Sequence, residues 1–298
     1  MMHAPGNVDT DALERRPNGG DEVPIIPSLW NWITSLARQI AMPFWHASWH
    51  LFVLATWILP FFWDGKHYFF LARRCWAPGL FKIGGSPPTF IGRERVDWTQ
   101  PHVIVANHQG NSDIPLLFVL VPTPLRFLAK RSVGYIPLLG WMLRLARFPF
   151  IDRYNARRGR QSIDEVADRI RKEKLCVAVF PEGTRSPEGT MLPFKKGAFL
   201  LAIKAQVPIV PVAIHGSGTT LPRGSFRIFP CPLTVTVGEP IPTAGLTERD
   251  RDDVSARAEA EILRILGWRR IKHGDLPAAR AADRARLHRL LGSGKLSE

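Results

Sequence analysis

The sequence predicts an α/β fold in which a sheet is covered by helices. After residue 85, short apolar runs alternate with longer stretches of helical pattern, which is typical of strand–helix units. The 298 residues are 45% hydrophobic, enough for a sizeable core, and this composition excludes a chain that is disordered throughout. The three cysteines lie far apart and form no Cys-x-x-Cys pair. A disulfide scaffold and a thiolate zinc site are therefore disfavoured, and a reducing compartment is indicated.

Two segments precede this domain. Residues 1–24 are polar with a net charge of −3, and we expect a disordered tail. Residues 25–84 form a predicted membrane-associating helical segment, in which 28–46 suit an amphipathic helix and 49–63 are apolar and rich in Trp. Fifteen residues fall short of the ~20 that cross a bilayer, so we expect an interfacial helical hairpin that dips into one leaflet. A buried core helix, or a span extended through flanking residues, is the alternative.

The α/β domain itself is predicted to cover residues 85–270. Its expected strands are the apolar runs at 102–107, 125–129, 148–151, 175–180, 209–214 and 233–238. Its expected helices lie near 113–120, 136–147, 159–174, 197–205 and 247–267. Residues 271–298 are predicted to form an Ala/Arg-rich C-terminal helical tail with no evident chemistry.

The chain is strongly basic, with 40 Lys and Arg against 26 Asp and Glu and a formal net charge of +14. The excess is concentrated at 126–174, where 13 basic residues accompany 5 acidic ones. This pattern predicts an anionic partner. Nucleic acid is disfavoured, because the basic stretch is interleaved with Leu, Trp and Phe and contains no recognisable binding module.

A polar run, NHQGNSD (107–113), directly follows one of the buried strands. The ends of such strands are where α/β folds place their sites. If His108 lies in the loop and Asp113 begins the next helix, the two side chains meet. An Asp beside a His fixes the imidazole tautomer and favours the imidazolium, as a general base acting on an alcohol requires. A helix cap beside a surface histidine is the alternative interpretation.

A second run, FPEGTRS (180–186), follows another strand. Gly183 permits a tight turn, and Arg185 can grip an oxyanion with two hydrogen bonds. Glu182 either orients Arg185 or accepts a hydrogen bond from a substrate hydroxyl. A simple surface turn is the alternative. The sequence lacks a Gly-x-Ser-x-Gly elbow, a phosphate-binding P-loop and a metal-binding His-Glu-x-x-His pattern, so neither a serine nucleophile nor a metal is expected.

The His-x4-Asp and Phe-Pro-Glu-Gly-Thr-Arg runs, some seventy residues apart, together resemble the glycerolipid acyltransferase family, whose best-known members acylate lysophosphatidic acid. FIDR (150–153) resembles the second block of that family and VPIVPV (207–212) the fourth. The stretch at 130–140 resembles the region between the first and second blocks. The blocks occur in the order of the family over roughly residues 85–240. The aromatic segment before them resembles the two-helix membrane-docking element of bacterial members.

This resemblance implies an acyltransferase-type mixed sheet preceded by an N-terminal membrane-docking helical segment. It makes His108 the catalytic general base and Asp113 its orienting partner. The substrate-binding residues implied are Lys130, Arg153, Glu182, Gly183, Thr184 and Arg185. Asn107 and Pro211 are implied to serve the acyl donor or the structure.

The implied reaction transfers a fatty acyl group from acyl-CoA or acyl-carrier protein to the hydroxyl of 1-acyl-glycerol-3-phosphate, giving phosphatidic acid. The acceptor attacks the thioester directly, with amides near 110–113 stabilising the oxyanion. No cofactor beyond this co-substrate is expected. The other expected partner is the anionic leaflet, with the protein membrane-associated at the cytoplasmic face of the inner membrane. The alternatives are a different acceptor (a lyso-ornithine lipid, glycerol-3-phosphate or another lysophospholipid) or a non-catalytic basic membrane-binding protein.

Overall fold

The computed structural model describes residues 29–57, 66–151, 156–220 and 229–290. Its centre is a six-stranded mixed sheet with helices on both faces, so the predicted α/β fold with a helix-covered sheet is confirmed. The predicted tail at 1–24 lies outside the described residues.

The main sheet has the strand order β1-β9-β8-β2-β6-β3, and only the β8–β9 pair is antiparallel. Its strands are β1 (Pro88–Ile91), β2 (Val103–Ala106), β3 (Leu125–Phe127), β6 (Cys176–Val179), β8 (Ile209–His215) and β9 (Leu233–Val237). Along β2, Ile104 belongs to the core on one face while Val103 and Val105 belong to the core on the other. A strand buried on both faces reads as an unbroken apolar run, as the sequence does here.

Helices cover each face as separate layers. The first layer comprises α1 (Leu29–Thr56), α2 (Lys66–Leu71), a π-helical turn (Ala72–Trp76), α3 (Ala77–Gly84), α4 (Asp113–Leu120) and α5 (Leu139–Leu145). The second comprises α6 (Ala156–Glu173), α7 (Gly197–Ala205) and α9 (Arg251–Leu266). A short helix, α8 (Ser217–Thr220), follows β8 at the edge that carries the polar loops.

One predicted strand is divided in the structure, and three of the described strands were not predicted. The run at 125–129 is divided, since β3 joins the main sheet whereas β4 (Ala129–Lys130) pairs with β5 (Phe150–Ile151) in a separate ribbon. The strands β1, β7 (Thr190–Met191) and β10 (Arg269–Arg270) were not predicted. Each has only two to four residues, too few to produce a readable alternation of apolar and polar side chains.

The N-terminal segment also departs from the prediction. One helix, α1, runs unbroken through Pro43 to Thr56, where two helices were expected at 28–46 and 49–63. Trp49 and Trp57 are buried, as in the core-helix alternative, whereas Phe44 and Leu51 are exposed. Residues 58–65 lie outside the described part. Within the described part, no helix is sufficiently long and apolar to cross a membrane.

Candidate active site

The two polar loops meet because their strands are neighbours. β2 and β6 pair in parallel, so the loops that follow them leave the sheet at the same edge. The loop after β2 carries residues 107–112 into α4, and the loop after β6 carries residues 180–189 towards β7. Ser186 N–H donates to the carbonyl of His108 at 2.9 Å, which joins the loops directly.

His108 and Asp113 form the contact that the sequence predicted. Asp113 begins α4 and is fully buried, and its Oδ2 lies 2.6 Å from Nδ1 of His108. The same oxygen accepts from the backbone N–H groups of Gln109 at 2.8 Å and Gly110 at 3.0 Å. Three donors on one oxygen hold the carboxylate rigidly. The Gly110 amide is used in this way, and the expectation that amides near 110–113 stabilise an oxyanion stays a prediction.

The contact also determines which nitrogen of His108 is free to act. Nδ1 donates to the carboxylate, so the neutral ring presents an unprotonated Nε2. The ring stacks on Phe180 with centroids 4.2 Å apart, and its side chain is 20% exposed. The His108 ring is thus held in a fixed orientation with part of its side chain open to the solvent.

Glu182 lies behind His108 and away from solvent. It is fully buried, and its two oxygens accept from the backbone N–H groups of His108 at 2.8 Å and Leu192 at 2.7 Å. Burial raises the pKa of Glu182 to about 7. The expectation that Glu182 contacts substrate or orients Arg185 is therefore not met, since both oxygens hold the backbone.

Two further predicted residues lie in the sheet region. Asn107 is buried and exchanges side-chain hydrogen bonds with the backbone of Ile214 at 2.8 and 2.7 Å, which ties the end of β2 to β8. Pro211 is buried inside β8, opposite Val105. Of the two roles considered for these residues, the geometry supports the structural one.

A cavity of about 690 Å³ opens beside His108. Much of its wall is apolar or aromatic and comes from α1, α2, α3, α4 and α5, with Trp49, Trp76 and Phe118 among the lining residues. The predicted residues Lys130, Gly183, Thr184 and Arg185 line the same cavity. No sequence pattern indicated the aromatic wall, because a Phe or Trp in a helix is equally typical of a buried core.

The turn at Gly183 requires glycine. Its φ is +74°, and a Cβ atom there would lie 2.5 Å from Nζ of Lys195. Arg185 leaves this turn and donates from Nη1 to the Asn111 side chain at 3.1 Å. Arg153 lies outside the described residues. Among the residues that the structure describes, no group of three or more His, Cys, Asp or Glu could hold a metal ion.

Comparison with known proteins identifies the family of the chain. A family model described as "Acyltransferase" matches residues 88–215. The 1-acyl-sn-glycerol-3-phosphate acyltransferase of Saccharomyces cerevisiae is 35% identical over 182 residues, which cover 60% of this chain and 59% of the yeast protein. A putative 1-acyl-sn-glycerol-3-phosphate acyltransferase of Caenorhabditis elegans is 34% identical over 192 residues, covering 64% of this chain and 67% of that protein.

A solved structure shows the same architecture. The crystal structure of the 1-acyl-sn-glycerophosphate acyltransferase PlsC from Thermotoga maritima superposes with a TM-score of 0.55 at 26% identity, covering 78% of this chain and 95% of that chain. The present chain spans 59% to 67% of the lengths of these two curated relatives. The resemblance predicted from the four sequence blocks is confirmed, and the chain belongs to the acyltransferase family that includes the 1-acyl-sn-glycerol-3-phosphate acyltransferases.

Proposed function

We propose that this chain transfers a fatty acyl group from acyl-CoA or acyl-carrier protein to the free hydroxyl of 1-acyl-glycerol-3-phosphate, giving phosphatidic acid. The observation that carries the proposal is the placement of His108. Its Nδ1 is held 2.6 Å from the buried carboxylate of Asp113. His108 lines a cavity together with aromatic side chains and the cations Lys130 and Arg185.

In the proposed reaction, His108 acts as the general base through Nε2, because its Nδ1 is bound to Asp113. Nε2 of His108 takes the proton of the acceptor hydroxyl as the oxygen attacks the thioester carbonyl carbon. Asp113 stabilises the imidazolium that forms. The tetrahedral intermediate then collapses, the C–S bond breaks, and the leaving sulfur takes the proton from Nε2. The products are one ester and one free thiol, so His108 returns to its neutral form.

The two kinds of lining match the two kinds of substrate surface. The aromatic wall suits a hydrocarbon chain, and the cavity volume falls within the range of about 300–1,000 Å³ usual for small-molecule sites. Lys130 and Arg185 suit a phosphate group, with Gly183 and Thr184 on the same wall. Arg153, which the family resemblance implies for phosphate binding, lies outside the described residues, and its role stays a prediction.

An anionic membrane leaflet is the proposed second partner. Of the thirteen large apolar residues exposed among the described ones, eleven lie on α1, on α2 or in the segment 131–145. Trp141 is 59% exposed and Phe44 69%, and α1 packs against α5, which places the two elements side by side. Arg131 and Arg144 lie in the same segment and suit anionic headgroups. A location at the cytoplasmic face of the inner membrane stays a prediction.

The membrane proposal is tested by sedimentation with vesicles that contain phosphatidylglycerol. Trp141→Glu should reduce the bound fraction, whereas Ile91→Glu, which alters an exposed apolar residue of β1, should not. Equal binding of the two variants would place the membrane contact elsewhere.

The catalytic proposal is tested by thiol release from a long-chain acyl-CoA and from an acyl-carrier protein. The acceptors to compare are lysophosphatidic acid, glycerol-3-phosphate and a lyso-ornithine lipid. We expect turnover with lysophosphatidic acid that His108→Ala abolishes and that His273→Ala, an exposed histidine outside the cavity lining, retains. Arg185→Ala should raise the KM of the phosphorylated acceptor. Turnover only with another acceptor would replace the substrate, and full activity of His108→Ala would refute the mechanism.

A further inference from the structure

The C-terminal segment is attached to the loop that follows β6. Its first strand, β10, pairs in parallel with β7, so that Arg269 lies opposite Thr190 and Arg270 opposite Met191. Ile271 N–H then donates to the carbonyl of Met191 at 3.0 Å. The predicted tail, 271–298, is therefore joined at its first residue to β7, the strand that follows the polar loop.

Apolar packing extends this attachment towards the base. Ile271 and Leu276 form a small buried cluster with Leu192, which is fully buried. The backbone N–H of Leu192 is one of the two groups that hold Glu182, and Glu182 holds the backbone of His108. The C-terminal segment thus packs behind the residues that position the base.

The final helix, α10 (Leu276–Leu290), reaches the same loop from a second direction. Arg280 is half-buried, and its Nη2 donates to the carbonyl of Arg185 at 2.9 Å and to the hydroxyl of Thr184 at 3.3 Å. The guanidinium is a rigid planar donor that fixes the acceptors it binds. It therefore holds the backbone from which the Arg185 side chain extends to Asn111.

We propose that Arg280 is a positioning residue, which fixes the Thr184–Arg185 turn so that the Arg185 side chain is already in place for the phosphate of the acceptor. The proposal rests on the proposed function. A turn that is ordered before binding does not lose conformational freedom when the acceptor arrives, so its order lowers the KM of that substrate. Arg280 lies beyond residues 88–215, which match the family model.

The test compares Arg280→Ala with Arg284→Ala, which alters an exposed arginine one turn further along α10. Arg280→Ala should raise the KM for lysophosphatidic acid about tenfold, the loss expected for hydrogen bonds from a charged donor. Its kcat and its KM for acyl-CoA should stay within about twofold of the unaltered protein. Arg280→Lys, which keeps the charge but not the planar fork, should recover part of the affinity, and Arg284→Ala should match the unaltered protein.

Hydrogen exchange at the backbone amides of residues 183–192 gives a readout independent of turnover. Exchange should be faster in Arg280→Ala than in Arg284→Ala. Unchanged KM together with unchanged exchange would overturn the proposal, as would a fall in kcat with both KM values unaltered. If Arg280→Ala does not fold, Arg280→Lys decides between the same outcomes. Failure of the proposed function is distinct, because the unaltered protein would then lack turnover with lysophosphatidic acid.

Discussion

Replacing Asp113 with Asn removes one charge from the site and leaves its shape almost unchanged. The two backbone amides that point at Oδ2 require an acceptor, so the Asn carbonyl oxygen should take that position. There it also accepts from Nδ1 of His108, which keeps Nε2 as the base. Asp113→Asn therefore isolates the effect of the negative charge from that of the tautomer.

The magnitude follows from the separation of the two groups. With Nδ1 and Oδ2 2.6 Å apart, the imidazolium and carboxylate charges lie roughly 4 Å apart. At an effective dielectric constant near 20, their attraction is about 4 kcal/mol. This attraction exists only once the imidazolium has formed, so its loss should lower kcat about 10³-fold. The free energy of unfolding should change by less than about 1 kcal/mol, because the hydrogen bonds persist and a buried charge is removed.

Single-turnover thiol release and urea denaturation measure the two quantities. The double variant His108→Ala with Asp113→Asn should be no slower than His108→Ala alone, since the carboxylate acts only through the imidazole. A loss below tenfold in Asp113→Asn, or additive losses in the double variant, would refute the assigned role of Asp113.

The remaining predictions concern the loop after β6. Burial raises the pKa of Glu182 from 4.5 to about 7, so the native protein binds more protons than the unfolded chain between these values. Its free energy of unfolding should then fall by up to about 3 kcal/mol as the pH rises through that window. Glu182→Gln lacks this titration, and parallel pH profiles of the two proteins in urea denaturation would contradict the assignment. Gly183→Ala should cost about 1–2 kcal/mol from its positive φ and, because Gly183 lines the cavity beside Thr184 and Arg185, should raise the KM of the acceptor. Gly189→Ala has the same backbone strain but lies outside the cavity lining, so its KM should not change, and equal KM values would exclude a role for the Gly183 turn in acceptor binding.

Local sequence pattern was sufficient to predict the contact between His108 and Asp113. An unbroken apolar run predicted β2, and a Gly-Asn-Ser turn before a helix placed Asp113 beside His108. The role of Glu182 was beyond such reasoning, because Pro-Glu-Gly-Thr reads as a surface turn and its partner Leu192 lies ten residues further along the chain. The role of Arg280 was equally hidden, since its contacts span 95 and 96 residues and an Ala/Arg-rich helix does not indicate which arginine is engaged.

The N-terminal helices differ from the prediction for another reason. Trp is typical of a membrane interface as well as of a core, and composition could not show which tryptophans are buried. Along α1 the structure shows which aromatic side chains are buried and which are exposed. Trp49 is buried and lines the cavity, whereas Phe44 is exposed. The predicted helix 28–46 contains Pro43, as α1 does, but α1 continues to Thr56 where a second helix was expected.

The cavity wall is built from two separate stretches of polypeptide. Its aromatic lining includes side chains from α1, α2 and α3, which precede residues 88–215 of the family model, whereas His108, Lys130 and Arg185 lie within those residues. On the proposed function, the headgroup of the acceptor contacts only the later stretch, whereas the acyl chain contacts side chains of both. Changes in α1, α2 and α3 can therefore alter the preference for acyl chains while the residues around His108 and the phosphate stay the same.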